Sequence, residues 1–327
     1  MRLTASEKIE IIQLVDRSDL SVNRTLQQLG IGKSTFYNWY QRYEQKGPEG
    51  LYPLGGSSRQ QWNSIPQAQR NLVVEMALEY PELSARQLAC RLCDAQQVFI
   101  SESSVYRILK AKGLITTPNH TLMTASDRFQ QQTLFVHQMW QTDFTYFKIL
   151  GWGWYYLSTI LDDYSRYIVH WELCRNMTAG DVQRSVEQAI LKAGISKKHM
   201  PRLLSDNGSC YIAADLKDYL HKLDITPVHG RPGHPQTQGK IERYHRSMKN
   251  IVKLNNYYCP EELQEAIGEF VRFYNNQRYH ESLNNVTPAD VYYGRQEQIL
   301  QQREVVKQRS IRQRRKEYFL SKIVAKN

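Results

Sequence analysis

Three acidic residues have the type and the surroundings needed to hold metal ions. Asp143 lies in the run MWQTDFTYFKIL, Asp206 opens the turn DNGS, and Glu242 follows a stretch rich in Pro and Gly, with 35 residues between Asp206 and Glu242. Carboxylate oxygens suit Mg²⁺, and two such ions about 4 Å apart can activate an attacking oxygen and stabilise the leaving 3′ oxygen of a phosphodiester. The alternative for any one of these acids is an exposed or salt-bridged surface group. Three acids in patterned contexts favour phosphodiester chemistry.

The elements that must position these acids can be predicted from the local sequence. Aromatic and β-branched residues alternate around Asp143, which predicts a strand with Asp143 midway along it. Asp206 follows the short apolar run 201–205 and begins a turn, so we expect it at the C-terminal end of a neighbouring strand. Pro and Gly exclude a helix over 231–239, whereas a helical run from Lys240 to about Lys253 would carry Glu242.

The strings WQTDFTY, SDNGS and GHPQTQGKIERYHRSMK resemble the catalytic segments of DDE transposases of bacterial insertion sequences. These enzymes are relatives of retroviral integrases and share an RNase H-like core; the resemblance covers roughly residues 135–293. It implies that Asp143, Asp206 and Glu242 are the catalytic and metal-binding residues, with Mg²⁺, or Mn²⁺ as a substitute. Asp143 and Asp206 would share one ion, and Glu242 with Asp143 would hold the other.

Two further groups of charged residues lie close to these acids. The resemblance implies that Lys240 and Arg243, on either side of Glu242, contact the DNA backbone, although a solvated helix face is the alternative. Asp162 and Asp163 end a predicted strand. We expect this pair to cap the following turn and to pair with Arg166 rather than to bind metal.

Charge composition independently indicates a nucleic-acid partner. The chain has 43 Lys and Arg against 32 Asp and Glu, a formal net charge of +11. Residues 301–327 contain nine basic residues and only two acidic ones, Glu304 and Glu317. Such a surface concentrates polyanions through phosphate contacts and counterion release. We expect this C-terminal segment to clamp a DNA backbone, and a solubilising tail is the alternative.

The first 50 residues have the pattern of a helix-turn-helix unit. Thr4 with Glu7 resembles a capping box at the start of a first helix, a short second helix is predicted over 22–29, and a third over 33–43. In such units the last helix enters the major groove. Candidate DNA contacts on it are Ser34, Thr35, Tyr37, Asn38 and Arg42. A three-helix protein-binding bundle is the alternative.

A second set of three helices is predicted after a linker rich in Gly. The expected helices cover 66–79, 84–92 and 103–112, with Ser84 and Ser103 as N-caps. Candidate DNA contacts on the last of these are Ser104, Arg107 and Lys110. Two tandem units of this kind ahead of an RNase H-like core also match the insertion-sequence transposase layout, where they are expected to bind terminal inverted repeats.

The sequence therefore predicts a multi-domain chain: N-terminal all-α helix-turn-helix units followed by an α/β RNase H-like catalytic core with a mixed five-stranded sheet. Its predicted strands cover 139–148, 155–163, 166–174, 201–205 and 224–229. The expected divisions are a helix-turn-helix domain at 1–50, a linker at 51–64, a second helix-turn-helix domain at 65–116, a linker at 117–134, the integrase-type core at 135–293 and a basic tail at 294–327.

These observations lead to one functional hypothesis and two alternatives. We expect a DDE transposase that binds the double-stranded ends of a mobile element, cleaves phosphodiesters with two divalent metals and joins the 3′-OH to target DNA, working as a homo-oligomer. The alternatives are an inactive DNA-binding regulator and a metal-dependent nuclease that does not join strands. The sequence has neither an apolar run of about 18 residues nor a signal peptide. We expect no membrane partner and a cytoplasmic, nucleoid-associated location, and five scattered cysteines fit a reducing compartment.

Overall fold

The structure, a computed structural model, describes residues 5–18, 20–51, 61–115, 133–196, 199–229, 238–253 and 257–324. The chain divides into two compact units, one formed by residues 1–64 with 314–327 and the other by residues 65–313. Thr4 and most of the expected linkers at 51–64 and 117–134 lie outside the described residues. In the described part of the chain, no helix is long and apolar enough to cross a membrane.

The N-terminal unit contains the three predicted helices, α1 (Ala5–Arg17), α2 (Val22–Gln28) and α3 (Lys33–Lys46). Their apolar faces meet around Ile12, Leu26 and Phe36, all of which are buried. Trp39 and Tyr40 pack against the same cluster, as the helical spacing predicts.

The second helical set comprises α4 (Gln67–Glu79), α5 (Ala85–Gln96) and α6 (Glu102–Ala111). Ser84 caps α5 as expected, because its hydroxyl accepts a hydrogen bond from the Gln87 amide in a capping box. Ser103 is not the N-cap of α6. The Ser101 carbonyl accepts the first helical bond, from the Val105 amide, so the N-cap lies two residues earlier than predicted.

A five-stranded mixed sheet forms the centre of the second unit, as predicted. Its strands are β1 (Met139–Ile149), β2 (Gly153–Asp162), β3 (Ile168–Cys174), β4 (Arg202–Ser205) and β5 (Pro227–His229). Their order is β3-β2-β1-β4-β5, in which β1, β2 and β3 form an antiparallel meander while β4 and β5 run parallel to β1. The strand that carries Asp143 is thus central, with β4 beside it.

Helices cover both faces of this sheet. They are α7 (Ala179–Ala193), α8 (Ser209–Ile212), α9 (Ala214–Lys222), α10 (Gly239–Val252), α11 (Pro260–Asn276) and α12 (Pro288–Tyr292). On one face α10 and α11 bury Ile241 and Ile267 against the sheet, and on the other α7 and α9 bury Val182 and Leu220. Each side chain buried in this way contributes roughly 1.5 to 3 kcal/mol, so both sides of β1 are held firmly.

Strand β5 is shorter than the predicted 224–229. The amides of Asp224 and Ile225 donate to the carbonyls of His221 and Leu220, and Asp224 adopts a positive φ of 58°. Residues 223–225 therefore close the C-terminus of α9, and extended structure begins only afterwards.

The segment expected to be a basic tail is a helix, α13 (Gln296–Val324). Arg303 on this helix is mostly buried, and its guanidinium lies 2.6 Å from a carboxylate oxygen of Asp94. Tyr279 Oη donates to the same carboxylate at 2.8 Å. These bonds attach α13 and the end of the core to α5, so Arg303 is not available for a DNA backbone. Other basic residues on the helix remain exposed: Arg309, Arg312, Arg315, Lys316 and Lys322.

Candidate active site

Gln141, a buried residue on β1, links the three segments that carry the predicted catalytic acids. Gln141 pairs with Leu204 in the parallel register of β1 and β4. Asp143 lies two residues beyond Gln141, and Asp206 lies two residues beyond Leu204. The two acids are therefore at the same level along the neighbouring strands. Gln141 Oε1 also accepts a hydrogen bond from the Ile241 amide at 3.1 Å, one residue before Glu242. The segments that carry the three acids therefore meet at this part of the sheet.

Asp206 is fixed by the turn that follows β4. Its Oδ1 accepts a hydrogen bond from the Gly208 amide at 2.9 Å. A Cβ added at Gly208 would lie 2.9 Å from that same oxygen, closer than carbon and oxygen normally approach. Glycine at this position therefore gives the Asp206 carboxylate the space it occupies.

The segment after Asp206 packs against β1 next to Asp143. Thr142 Oγ1 lies 3.4 Å from the Tyr211 hydroxyl. Burial raises the pKa of Tyr211 well above its usual range, and the carboxylates of Asp143 and Asp206 both add to this rise. The pKa of Cys210 rises to about 11, first because of burial and then because of the same two acids. Asp143 and Asp206 thus create negative potential at the same two side chains.

Glu242 lies in the first turn of α10, where its side chain is exposed. One helical turn later His245 is buried, with Nδ1 3.3 Å from Asp143 Oδ2 and Nε2 3.2 Å from Thr159 Oγ1. Residues three apart lie on the same side of a helix. The helix face that carries Glu242 therefore meets the strand that carries Asp143.

The start of α10 is anchored by a second acid, Asp163. Lys240 Nζ donates to Asp163 Oδ2 and to the Asp163 carbonyl, both at 2.7 Å, and Gln141 Nε2 donates to Asp163 Oδ1 at 2.6 Å. Thr133 also donates to Asp163, whose side chain is 5% exposed. Lys240 is therefore held by Asp163, which favours a structural role for it over the expected contact with DNA.

Asp162 has the capping role predicted from the sequence. Its carboxylate accepts hydrogen bonds from the amide and hydroxyl of Ser165 and from the His137 amide. Burial raises the pKa of Asp162, and these bonds oppose the rise. The predicted pairing with Arg166 is wrong, because within the described residues the carboxylates of Asp162 and Asp163 bind these other donors instead.

The three catalytic candidates have the donor chemistry of a site for hard cations. Within the described ranges, none of the three carboxylates pairs with a Lys or Arg, whereas Asp163, Asp94 and Asp290 do. Carboxylates that have no Lys or Arg partner suit Mg²⁺ or Mn²⁺ as ligands. In the same ranges, no three His, Cys, Asp or Glu side chains lie close enough together to hold a metal.

The candidate DNA contacts of the first helical unit share an exposed surface. Ser34, Thr35, Tyr37, Asn38 and Arg42 are all exposed on α3, opposite the buried Phe36. An exposed helix face with hydroxyl, amide and guanidinium groups can approach base edges and phosphates.

The candidates of the second helical unit differ in exposure. Arg107 and Lys110 are exposed on α6, whereas Ser104 is half-buried and its hydroxyl bonds Ser101 and Arg107. On α10 Arg243 is exposed. Arg107, Lys110 and Arg243 are accessible to a phosphate, and Ser104 instead helps to hold the start of α6.

Sequence reasoning missed two residues of this site, His245 and Gln141. For His245 the signal was available, since it follows Glu242 by three residues on a predicted helix. Gln141 lies two residues before Asp143 on the same strand, so the two side chains are on the same face of the sheet. Nothing local indicates that its amide bonds Ile241, because that partner lies 100 residues away.

Comparison with known protein families finds DNA-related domains in both parts of the chain. The integrase core domain family matches residues 136–235, and a second integrase core domain family matches residues 223–288. A helix-turn-helix domain family matches residues 7–59, and a homeodomain-like domain family matches residues 35–109. Together these domains imply DNA binding.

Individual relatives include mobile-element and retroviral proteins. The transposase for insertion sequence element IS629 of Shigella sonnei is 27% identical over 52% of this chain and 57% of its own length. The Gag-Pro-Pol polyprotein of squirrel monkey retrovirus is 31% identical over 35% of this chain and 6% of its own length. This chain therefore spans a small part of the polyprotein and little more than half of the transposase.

Among solved structures, the catalytic core domain of BIV integrase matches with 24% identity and a TM-score of 0.39, covering 50% of this chain and 97% of that one. The family matches, taken with the insertion-sequence relatives, are consistent with the resemblance seen in the three motifs. The chain thus matches integrase core and helix-turn-helix domains and has insertion-sequence transposases among its relatives, which is consistent with a DDE transposase of the integrase-like superfamily.

Proposed function

We propose that this protein is a transposase that binds the ends of a mobile DNA element, cleaves a phosphodiester there and joins the freed 3′-OH to target DNA. The observation that carries the proposal is the position of Gln141. Its backbone pairs with the strand that precedes Asp206, its side chain bonds the residue before Glu242, and it lies two residues from Asp143. Three segments that are distant in sequence and each carry one of the acids are thus held at the same part of the sheet, which supports a phosphodiester site.

The roles of the chain's own residues follow from this arrangement. Asp143, Asp206 and Glu242 would hold two Mg²⁺ or Mn²⁺ ions. When bound, such ions activate the attacking oxygen and stabilise the charge on the leaving oxygen. His245 orients the Asp143 carboxylate through its contact at 3.3 Å. Gln141 and Asp163 hold the first turn of α10 against the sheet.

Recognition of the element ends would belong to the helical units. We propose that α3 enters a major groove and that Arg42 there, with Arg107 and Lys110 on α6, contacts the duplex. Two ends must be brought together for joining, so a homo-oligomer is proposed. A nucleoid-associated location in the cytoplasm follows from the DNA substrate.

The proposal is tested with the full chain, a labelled DNA that carries the candidate terminal repeat, and a supercoiled target in Mg²⁺. Asp206→Asn should abolish cleavage and joining while leaving the affinity for the repeat unchanged. Asp218→Asn is the matched control, because Asp218 is an exposed acid on α9. It should leave both steps unchanged.

The products of this assay separate the proposed function from its alternatives. Joined product from the wild-type chain supports a transposase. Cleavage without joining would point to a nuclease, and specific binding without either product would point to a regulator. If the Asp206→Asn variant still joins strands, the Asp206 carboxylate is not part of the mechanism.

A further inference from the structure

Two exposed aromatic rings and two lysines lie beside one another where β1 and β2 approach the turn that joins them. The rings of Tyr146 and Trp154 meet edge to face, with their centroids 5.4 Å apart and their planes at 69°. Lys249 Nζ lies 4.8 Å from the Tyr146 ring centroid, and Lys148 Nζ lies 5.5 Å from that of Trp154. We call these four connected side chains the hairpin patch.

The two rings of the hairpin patch are placed by the pairing of β1 with β2. Tyr146 pairs with Tyr156, and Lys148 pairs with Trp154, in the antiparallel register. Directly paired residues lie on one face of a sheet, and so do residues two apart on one strand. Tyr146, Lys148 and Trp154 therefore share a face, on which the ring of Trp154 lies diagonally across from that of Tyr146.

Lys249 reaches the same surface from α10, across an edge of β1. Strand β4 pairs with β1 only over Met139–Gln141, so within the described residues this edge of β1 has no partner strand beyond that range. One helical turn before Lys249, His245 Nδ1 lies 3.3 Å from the Asp143 carboxylate. Helix α10 therefore runs beside β1. The hairpin patch begins three residues beyond Asp143, a distance of about 10 Å along a strand.

The fold leaves the hairpin patch uncovered and positively charged. Tyr146 is 56% exposed and Trp154 is 50% exposed, which is unusual for a tryptophan. In the described part of the chain neither lysine of the patch pairs with a carboxylate, unlike Lys240 and Lys307. An ammonium group over a ring keeps its charge and its N–H donors. The patch therefore offers ring surface and positive charge to a ligand.

The charge of the patch favours nucleic acid over protein as this ligand. Protein interfaces are enriched in aromatic residues but depleted in lysine. Surfaces that bind single-stranded nucleic acid combine rings, on which bases stack, with basic side chains that contact the phosphates. Inside a duplex the bases stack on one another and are not available to the rings. An unpaired strand is therefore the ligand that uses both components of the patch.

We propose that the hairpin patch binds unpaired nucleotides of the DNA strand next to the proposed cleavage site. The bases stack on the rings of Tyr146 and Trp154, and the two lysines contact the neighbouring phosphates. The patch holds a frayed end apart from its complementary strand and takes no part in bond breaking. The assignment of this strand to the end of a mobile element rests on the proposed function.

The test compares DNA ends that differ only in whether bases are present to stack. Binding of the full chain, carrying Asp206→Asn to prevent cleavage, is measured on a terminal-repeat duplex with a short unpaired extension, and on the same duplex with an abasic extension of equal length. Both DNAs carry the same phosphates. The abasic extension should bind at least about tenfold more weakly, the contribution of one stacked base. Trp154→Leu, or separately Tyr146→Leu, should remove most of this difference and leave the affinity for a blunt duplex unchanged.

Leu150→Ser is the matched control, since Leu150 is an exposed apolar residue in the turn of the same hairpin. It should leave the difference between the two DNAs intact. Trp154→Phe, which keeps an aromatic ring, should retain more of the difference than Trp154→Leu. The two leucine variants probe the patch independently, so misfolding of one does not remove the test.

The remaining outcomes separate this site from the proposed function. A wild-type chain that binds the two DNAs equally, or a difference that persists in both leucine variants, overturns the hairpin patch alone. Self-association that is lost in the leucine variants, with the difference unchanged, assigns the rings to an interface between copies and also overturns it. A chain that does not bind the terminal repeat at all overturns the proposed function as well.

Discussion

Lys240 Nζ lies 2.7 Å from Asp163 Oδ2, which joins the first turn of α10 to the end of β2 across 77 positions of sequence. Asp163 is nearly buried and Lys240 is about a third exposed. Removing one partner of a fully buried pair costs about 3 to 5 kcal/mol. The partial exposure of Lys240 should reduce this cost, so we expect Lys240→Gln to lower the free energy of unfolding by about 2 kcal/mol.

Chemical denaturation of the two single variants and of the double variant Asp163→Asn/Lys240→Gln measures this coupling. The double variant should be more stable than the sum of the two single losses predicts. Additive losses would mean that the pair does not interact. Strand joining should also fall in both single variants, because the turn that carries Glu242 loses its anchor.

Replacement of Gly208 should affect activity more than stability. A Cβ at this position approaches Asp206 Oδ1 to 2.9 Å, and the carboxylate can rotate away at little cost in stability. Gly208→Ala should therefore lower DNA cleavage at least tenfold while shifting the thermal midpoint by no more than a few degrees. Gly180→Ala is the control, because its Cβ would make only an ordinary contact of 3.7 Å. Full activity in Gly208→Ala would contradict the tight fit of Asp206.

Stability should fall in mildly acidic solution because of buried histidines. Burial and the neighbouring Lys192 lower the pKa of His170 from 6.5 to about 4, and His280 is lowered further, to about 3. Between about pH 6.5 and pH 4 the unfolded chain binds protons at these positions that the folded chain does not. The free energy of unfolding therefore decreases as the pH falls through this window.

Denaturation at pH 7 and pH 5 checks this dependence. His170→Gln should reduce the difference between the two values. His199→Gln, which changes an exposed histidine, should leave the difference as it is in the wild type. If the free energy of unfolding of His170→Gln falls as steeply on acidification as that of the wild type, groups other than His170 cause the fall.

The exposed basic residues of α13 should contribute to DNA affinity by binding phosphates. Replacement of Arg309, Arg312, Arg315 and Lys316 by Gln removes charge without removing Arg303, which anchors the helix to Asp94. For each phosphate that the variant no longer binds, the slope of log K against log salt should decrease by about 0.9. Affinities measured between low and moderate salt give this slope, and an unchanged slope would leave the helix with a purely structural role.

Much of the fold could be predicted because its signals are local. The alternation around Asp143, the turn after Ser205 and the N-cap at Ser84 each define an element within a few residues. The predicted N-cap of α6 was wrong because two candidate serines, Ser101 and Ser103, lie two residues apart. Local pattern cannot distinguish which serine carbonyl accepts the first helical bond.

The partners of charged residues could not be predicted in the same way. Arg303 pairs with Asp94, which lies 209 positions away in the sequence. Asp163 pairs with Lys240 and not with Arg166, the partner that the sequence predicts. Such pairs depend on how complete elements pack, which no short pattern records. The acids of the candidate site were identifiable because each has its own turn or strand signal, but the side chains that hold them were not.

The hydrogen bonds of the Gln141 side chain determine where residues can be added to this chain without moving α10. They fix the first turn of α10 to β1 directly, without using the chain between Asp206 and Glu242. Loops and whole elements inserted into that interval would leave the anchor of Glu242 untouched. The interval of 35 residues contains α8, α9 and β5 in this chain, and residues inserted there should leave the hydrogen bonds that hold the first turn of α10 intact.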